Sequence, residues 1–127
     1  MLEIWQADAS GRFNHASDPE HAQVDPNFVG FGRSPTDADG AYWFRTIKPG
    51  TRDGAAHINV RLFMRGLLTH LVTRVYFADE PSDALLNSLE PARRSTLMAT
   101  REDGADGLTY RFDIHLQGQL ETVFFDV

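Results

Sequence analysis

A chain of 127 residues, 42% apolar and 24% charged, is long enough for one domain with a core of its own and has the balance of a soluble globular protein. Its formal net charge of −6 argues against a nucleic-acid or anionic-membrane partner, since both want a basic surface. The absence of cysteine excludes a disulfide framework, thiolate metal sites and a cysteine nucleophile. No apolar run approaches the roughly 20 residues of a membrane span, and no signal-peptide pattern stands at Met1, so the expected compartment is the cytoplasm.

The chain opens directly in an apparent strand, Met1 to Ala7, with Leu2 and Ile4 on one side. Such an opening fits either an edge strand or a chain that lacks upstream partners. Asp8-Ala9-Ser10-Gly11-Arg12 is a turn sequence. From Asn14 to Asp39, three prolines, two glycines and many Asp, Ser and Asn predict a long surface loop, pinned by Phe28, Val29 and Phe31. Ala41 to Ile47 alternates as a strand, with Tyr42, Phe44 and Thr46 on one side, and Lys48-Pro49-Gly50 ends it.

The centre of the chain, His57 to Phe77, predicts two strands joined at Arg65-Gly66. Alternation puts Ile58, Val60, Leu62 and Met64 on an apolar face and His57, Asn59, Arg61, Phe63 and Arg65 on a mostly polar one. On the return, His70 to Phe77, Leu71, Thr73, Val75 and Phe77 share a face. Asp79-Glu80-Pro81-Ser82 then reads as a break and helix start. Leu85, Leu86, Leu89, Leu97 and Met98 predict two short helices around Pro91, which suits a first helical position, with Arg93 and Arg94 on the solvated side. Gly104 and Gly107 mark a turn, Leu108 to Leu116 a strand, and Thr122 to Asp126 a last strand. Six strands with little helix predict an all-β sandwich or barrel in a single domain, 1–127.

Few constellations point to chemistry. His57, with His70 and His115, is the best metal candidate, yet no H-x-H, H-x-x-x-H or H-E-x-x-H spacing occurs, and lone strand histidines are usually structural. His15 and His21 fall in the loop. Ser34, Ser82, Ser88 and Ser95 sit in no nucleophile elbow, and Gly30-Phe31-Gly32 is no phosphate loop, since no strand-to-helix passage surrounds it. Arg65 lies at a strand end where its guanidinium could grip a carboxylate in a bidentate way. A solvated hairpin arginine is the plainer reading of the same position.

Several segments together resemble the intradiol ring-cleaving dioxygenases: LEIWQADASGRF from Leu2, DADGAYWFRTIKPG from Asp37, AHINVRLFMRGL from Ala56, THLVTRVYF from Thr69 and YRFDIHLQGQLETVFFDV from Tyr110. The resemblance is collinear over nearly the whole chain and implies a β-sandwich with one or two short helices. It implies a ferric ion held by two tyrosines and two histidines, but here the donors are mostly gone. The G-R-Y tyrosine is Phe13, the tyrosine after K-P-G is absent where Thr51 and Arg52 stand, and the H-I-H triplet is His57-Ile58-Asn59. Phe13, Arg52, His57 and Asn59 are thus expected to be vestigial metal-site positions that hold no metal, because ferric iron wants anionic oxygen donors beside imidazole.

That loss is similar to the iron-free alpha chains of the protocatechuate-cleaving members of the family. There the resemblance implies a partner beta subunit that holds Fe(III), and cleavage of protocatechuate by O2 to 3-carboxy-cis,cis-muconate. Phe63-Met64-Arg65-Gly66 matches the F-x-R-G motif whose arginine reaches the partner's site, so Arg65 is expected to hold the substrate carboxylate. No catalytic residue is expected in this chain alone. The resemblance also implies that the family's N-terminal segment is lacking, which would leave the first strand with an open, association-prone edge. A non-catalytic binding or assembly module with a vestigial metal site is the alternative.

Overall fold

In the computed structural model, which describes residues 1–24, 26–52, 54–77, 83–104 and 107–125, six strands form one sheet. In chain order the strands are β1 (Leu2–Trp5), β2 (Phe31–Ser34), β3 (His57–Leu62), β4 (Leu71–Phe77), β5 (Met98–Gly104) and β6 (Gly107–Arg111). Two helices of one turn each, α1 (Ala84–Asn87) and α2 (Pro91–Arg94), precede β5. The order across the sheet is β2-β1-β3-β4-β5-β6. All pairs are antiparallel except β4 with β5, whose connection carries both helices. Parallel neighbours need such a crossover.

The register of the central strands follows the alternation read from the sequence. Val60 stands opposite Ile4 on one side and Thr73 on the other, and Leu62 stands opposite Leu2 and Leu71. One sheet face therefore buries Leu2, Ile4, Val60 and Leu62 against Tyr42, Phe44 and Ile114. The Tyr42 hydroxyl donates to the Phe112 carbonyl at 2.5 Å, and burial pushes its pKa up to about 12. A cleft of 1040 Å³ between this face and the segments 41–47 and 108–116 is walled mainly by apolar side chains. The opposite face carries a second core, in which Ala55, Tyr76, Leu86, Leu97 and Val123 pack with Leu89, Met98 and Phe125.

The all-β class stands, with corrections in its parts. Segment 41–47 joins no ladder. Tyr42 and Phe44 turn toward the sheet while Trp43 is 76% exposed, so alternation here reports one-sided burial and not strand pairing. The same holds beyond Arg111, where Phe112 and Ile114 point inward without a partner strand. Only Phe125 of the expected last strand pairs, in an isolated bridge with Val72. Residues 126–127, like 79–82 of the expected helix start, lie outside the described residues.

Two strands went unread. β2 sits inside the expected loop and is held by long-range contacts. Glu3 lies opposite Arg33 and accepts from its guanidinium at 2.5 Å, and the Phe44 ring lies over Gly32. β1 consequently has neighbours on both sides and no open edge. β5 falls where Met98 was expected to be helical. Its residues 100–103 are exposed, as are Gly107, Leu108 and Thr109 of β6, so neither strand shows a buried-face pattern. Arg93 and Arg94 are not simply solvated. Arg93 donates to the Glu121 carbonyl, and Arg94 donates to the Leu86 and Leu89 carbonyls at 3.0 Å, tying α2 to the end of α1.

Leu97 is fully buried and Leu68 fully exposed. Leu97→Ala is expected to lower unfolding stability by about 2–5 kcal/mol, and Leu68→Ala to stay within about 0.5 kcal/mol, as read by chemical denaturation.

Candidate functional site

On the side of β3 facing away from the cleft, the pleat presents His57 and Asn59, with Trp5 opposite Asn59 on β1 and Arg74 and Tyr76 opposite them on β4. The His57 ring packs 5.3 Å from Tyr76, and its Nδ1 lies 3.0 Å from the Ala55 carbonyl. A carbonyl can only accept, so Nδ1 carries the proton. Burial lowers the imidazole pKa below its ordinary value, and the bond to Ala55 offsets part of that. The Asn59 amide donates to the Trp5 carbonyl at 3.3 Å, and Arg74 donates to the Tyr76 hydroxyl at 3.1 Å.

Beside this face, two loops meet. The expected turn at Asp8 is an Asx turn, in which the carboxylate accepts from the Ser10 and Arg12 amides. The Asp8 carbonyl accepts from the Gly50 amide at 2.9 Å. Glycine is needed at both faces of this approach. A Cβ on Gly50 would run into the Ala9 carbonyl, and Gly11 has φ +83° with a Cβ position 2.8 Å from Thr51.

Across this junction lies Arg52. Its Nε donates to the Gly11 carbonyl at 3.0 Å, and its two terminal nitrogens fork onto Asp18 at 3.1 and 2.5 Å. Nη1 also reaches Glu20 at 2.5 Å, and Glu20 is held by Arg12 at 3.2 Å. The Asp18 side chain is only 4% exposed, and it accepts from the Phe13 and Glu20 amides at 2.8 Å. Arg52 first, then the Phe13 amide, lowers the Asp18 pKa to about 2. Arg52, then Arg12, lowers that of Glu20. The Phe13 ring stacks on Trp5 at 6.1 Å.

The four positions expected to be vestigial thus lie in one patch, Arg52 joined to Phe13 through Asp18 and Phe13 to Asn59 through Trp5, with His57 two residues from Asn59 on the same face of β3. Their chemistry does not fit ferric iron. The set is a phenyl ring, a guanidinium, an amide and one imidazole, and the two nearby carboxylates already serve Arg52 and Arg12. Among the described residues no group of three His, Asp or Glu side chains could hold a metal.

A site built from His57, His70 and His115 is overturned. His57 pairs with Tyr76 at one end of the β3–β4 hairpin, while His70 packs 5.5 Å from Phe63 at the other. His115 is exposed, with its backbone bonded to Thr122. His15 is exposed against Ser17, and His21 begins a 3-10 turn. Ser34 bonds its neighbour's carbonyl, and Ser88 and Ser95 bond helix carbonyls. Arg65 stands exposed in the β3–β4 turn beside Gly66, whose φ is +90°, with no side-chain partner among the described residues. Asp18 and Glu20 carried no local signal, because their role depends on a loop 32 or more residues away.

The family model described as Dioxygenase matches residues 1–118, and the chain belongs to that dioxygenase family. It is 47% identical over 139 residues to the protocatechuate 3,4-dioxygenase alpha chain of Pseudomonas putida, covering 99% of this chain and 66% of that one. It is 46% identical to the alpha chain of Burkholderia cepacia, of which it covers 68%, and 38% identical to the beta chain from the same organism, of which it covers 57%. The chain spans about two thirds of the length of these alpha chains. No helix among the described residues is long and apolar enough to cross a membrane.

Two outcomes follow from this geometry. A depressed carboxyl pKa stabilises the fold above its unfolded value and ceases to do so as pH falls through the folded one. Asp18 should therefore keep the Phe13 and Glu20 amides protected from exchange below the ordinary carboxylate value of 3.8, and release them as pH falls through about 2. Gly50→Ala should separate the two loops and expose the 8–12 turn to limited proteolysis, leaving the sheet amides protected.

Proposed function

We propose that this chain is the alpha-type subunit of a protocatechuate 3,4-dioxygenase, an oxidoreductase of aromatic catabolism. In this reading it works with a beta subunit that holds Fe(III), and the pair cleaves protocatechuate with O2 to 3-carboxy-cis,cis-muconate. The observation that carries the reading is the combination of 47% identity to an alpha chain with a patch in which Phe13, Arg52 and Asn59 supply no anionic donor and the neighbouring Asp18 and Glu20 are already paired with arginines. The beta-chain relative supports a partner built on the same fold.

Ring cleavage then takes place in the partner, and this chain contributes binding and orientation. Arg65 is the residue assigned to the substrate. Its guanidinium is exposed and uncommitted at a turn whose φ-positive Gly66 lets the chain reverse tightly. An arginine so placed can fork onto a carboxylate, fixing the ring's orientation as well as its charge. It would favour protocatechuate over catechol, which has no carboxylate to grip.

Arg65→Ala is expected to lower kcat/KM for protocatechuate roughly 10- to 100-fold in the reconstituted complex, the equivalent of losing a charged hydrogen bond of about 1.5–3 kcal/mol. Arg65→Lys should recover part of the loss, and turnover of catechol should be unchanged. Equal kinetics for wild type and Arg65→Ala would remove Arg65 from the substrate site. Co-purification tests the assembly itself: a stoichiometric iron-bearing partner supports the subunit reading, and a stable ironless homo-oligomer replaces it with an assembly module.

A further inference from the structure

We propose that Arg52 is a resident cation, a positioning residue that cross-links the 8–20 loop to the 48–52 loop, at a position that the family resemblance marks as part of a metal site. The inference deepens the reading of positions 13, 52, 57 and 59 as a former metal site. It stands independently on the geometry of the guanidinium.

Arg52 reaches three acceptors from separate turns of one loop, Gly11, Asp18 and Glu20. A metal ion joins segments in the same manner, by converging several oxygens on one positive centre. The acceptors here are a carbonyl and two carboxylates, hard oxygen donors of the kind that suit a cation. Asp18 is nearly shut off from water, and a buried carboxylate must be paired to remain ionised. Among the described residues the Arg12 guanidinium pairs with Glu20, and Asp18 is left to Arg52. Asp18 in turn holds the Phe13 amide, so the guanidinium sets where Phe13 lies against Trp5 and thereby packs the loop onto β1. Lysine could not do the same, because one ammonium lacks the planar fork that meets Asp18 with two nitrogens while a third reaches Gly11.

The test uses the full chain without a partner, so it is separate from the kinetic test of Arg65. Amide exchange is compared between wild type, Arg52→Lys and Arg52→Ala. Arg52→Ala should lose protection at Phe13 and Glu20 by roughly tenfold or more, with Val60 and Thr73 in the sheet unchanged, and Arg52→Lys should recover only part. Millimolar guanidinium chloride should restore protection to Arg52→Ala, whereas sodium chloride at the same ionic strength should not. Terbium(III) probes the vacated place: Arg52→Ala should gain Trp-sensitised emission that is absent in wild type and lost again in Arg52→Ala/Asp18→Asn. Unchanged loop protection in Arg52→Ala, or equal rescue by sodium chloride, overturns the cross-link. Loop loosening with no terbium gain keeps the cross-link and overturns the claim that Arg52 stands in for a metal.

Discussion

The pairing of β3 with β1 and β4 is the constraint on which the rest of the molecule depends. Strand pleat sends successive side chains to opposite faces, so one register decides both sides at once. Val60 and Leu62 cannot enter the core with Leu2 and Ile4 unless His57 and Asn59 turn the other way, toward Trp5, Arg74 and Tyr76. A slip of one residue would exchange the two faces, burying Asn59 and Arg61 in place of Val60 and Leu62. The apolar core of Leu2, Ile4, Val60 and Leu62 is therefore what holds the polar patch in place.

The positions that the family resemblance marks for metal donors carry an aromatic ring, a guanidinium and an amide. Each has found protein partners: Phe13 with Trp5, Arg52 with Asp18, and Asn59 with the Trp5 carbonyl. No buried side-chain polar atom among the described residues lacks a hydrogen bond. Arg65, exposed in the β3–β4 turn, lies at the far end of the hairpin from His57.

Local pattern was legible where burial is one-sided and the partner is near in sequence. The β3–β4 hairpin, the turn at Asp8, Pro91 opening a helix and the pairing of Gly104 with Gly107 all follow from alternation or turn chemistry. The same reasoning failed where a segment's state depends on something distant. Tyr42 and Phe44 alternate like strand residues because they pack on a sheet, yet they have no ladder. Phe31 to Ser34 looks like loop because only one of its residues is large and apolar, yet β1 supplies a ladder and Glu3 a partner for Arg33.

By itself the sequence determined the all-β class, the two faces of the central hairpin and the lack of an anionic side chain at Phe13, Arg52 and Asn59, since alternation and side-chain chemistry are local properties. Only the tertiary structure decided that β1 is flanked on both sides, that 41–47 covers the sheet without joining it, and that Arg52 meets Asp18 and Glu20. Those outcomes rest on hydrogen bonds, ion pairs and packing between residues about thirty to sixty positions apart, and chain proximity of that kind is written in no local pattern.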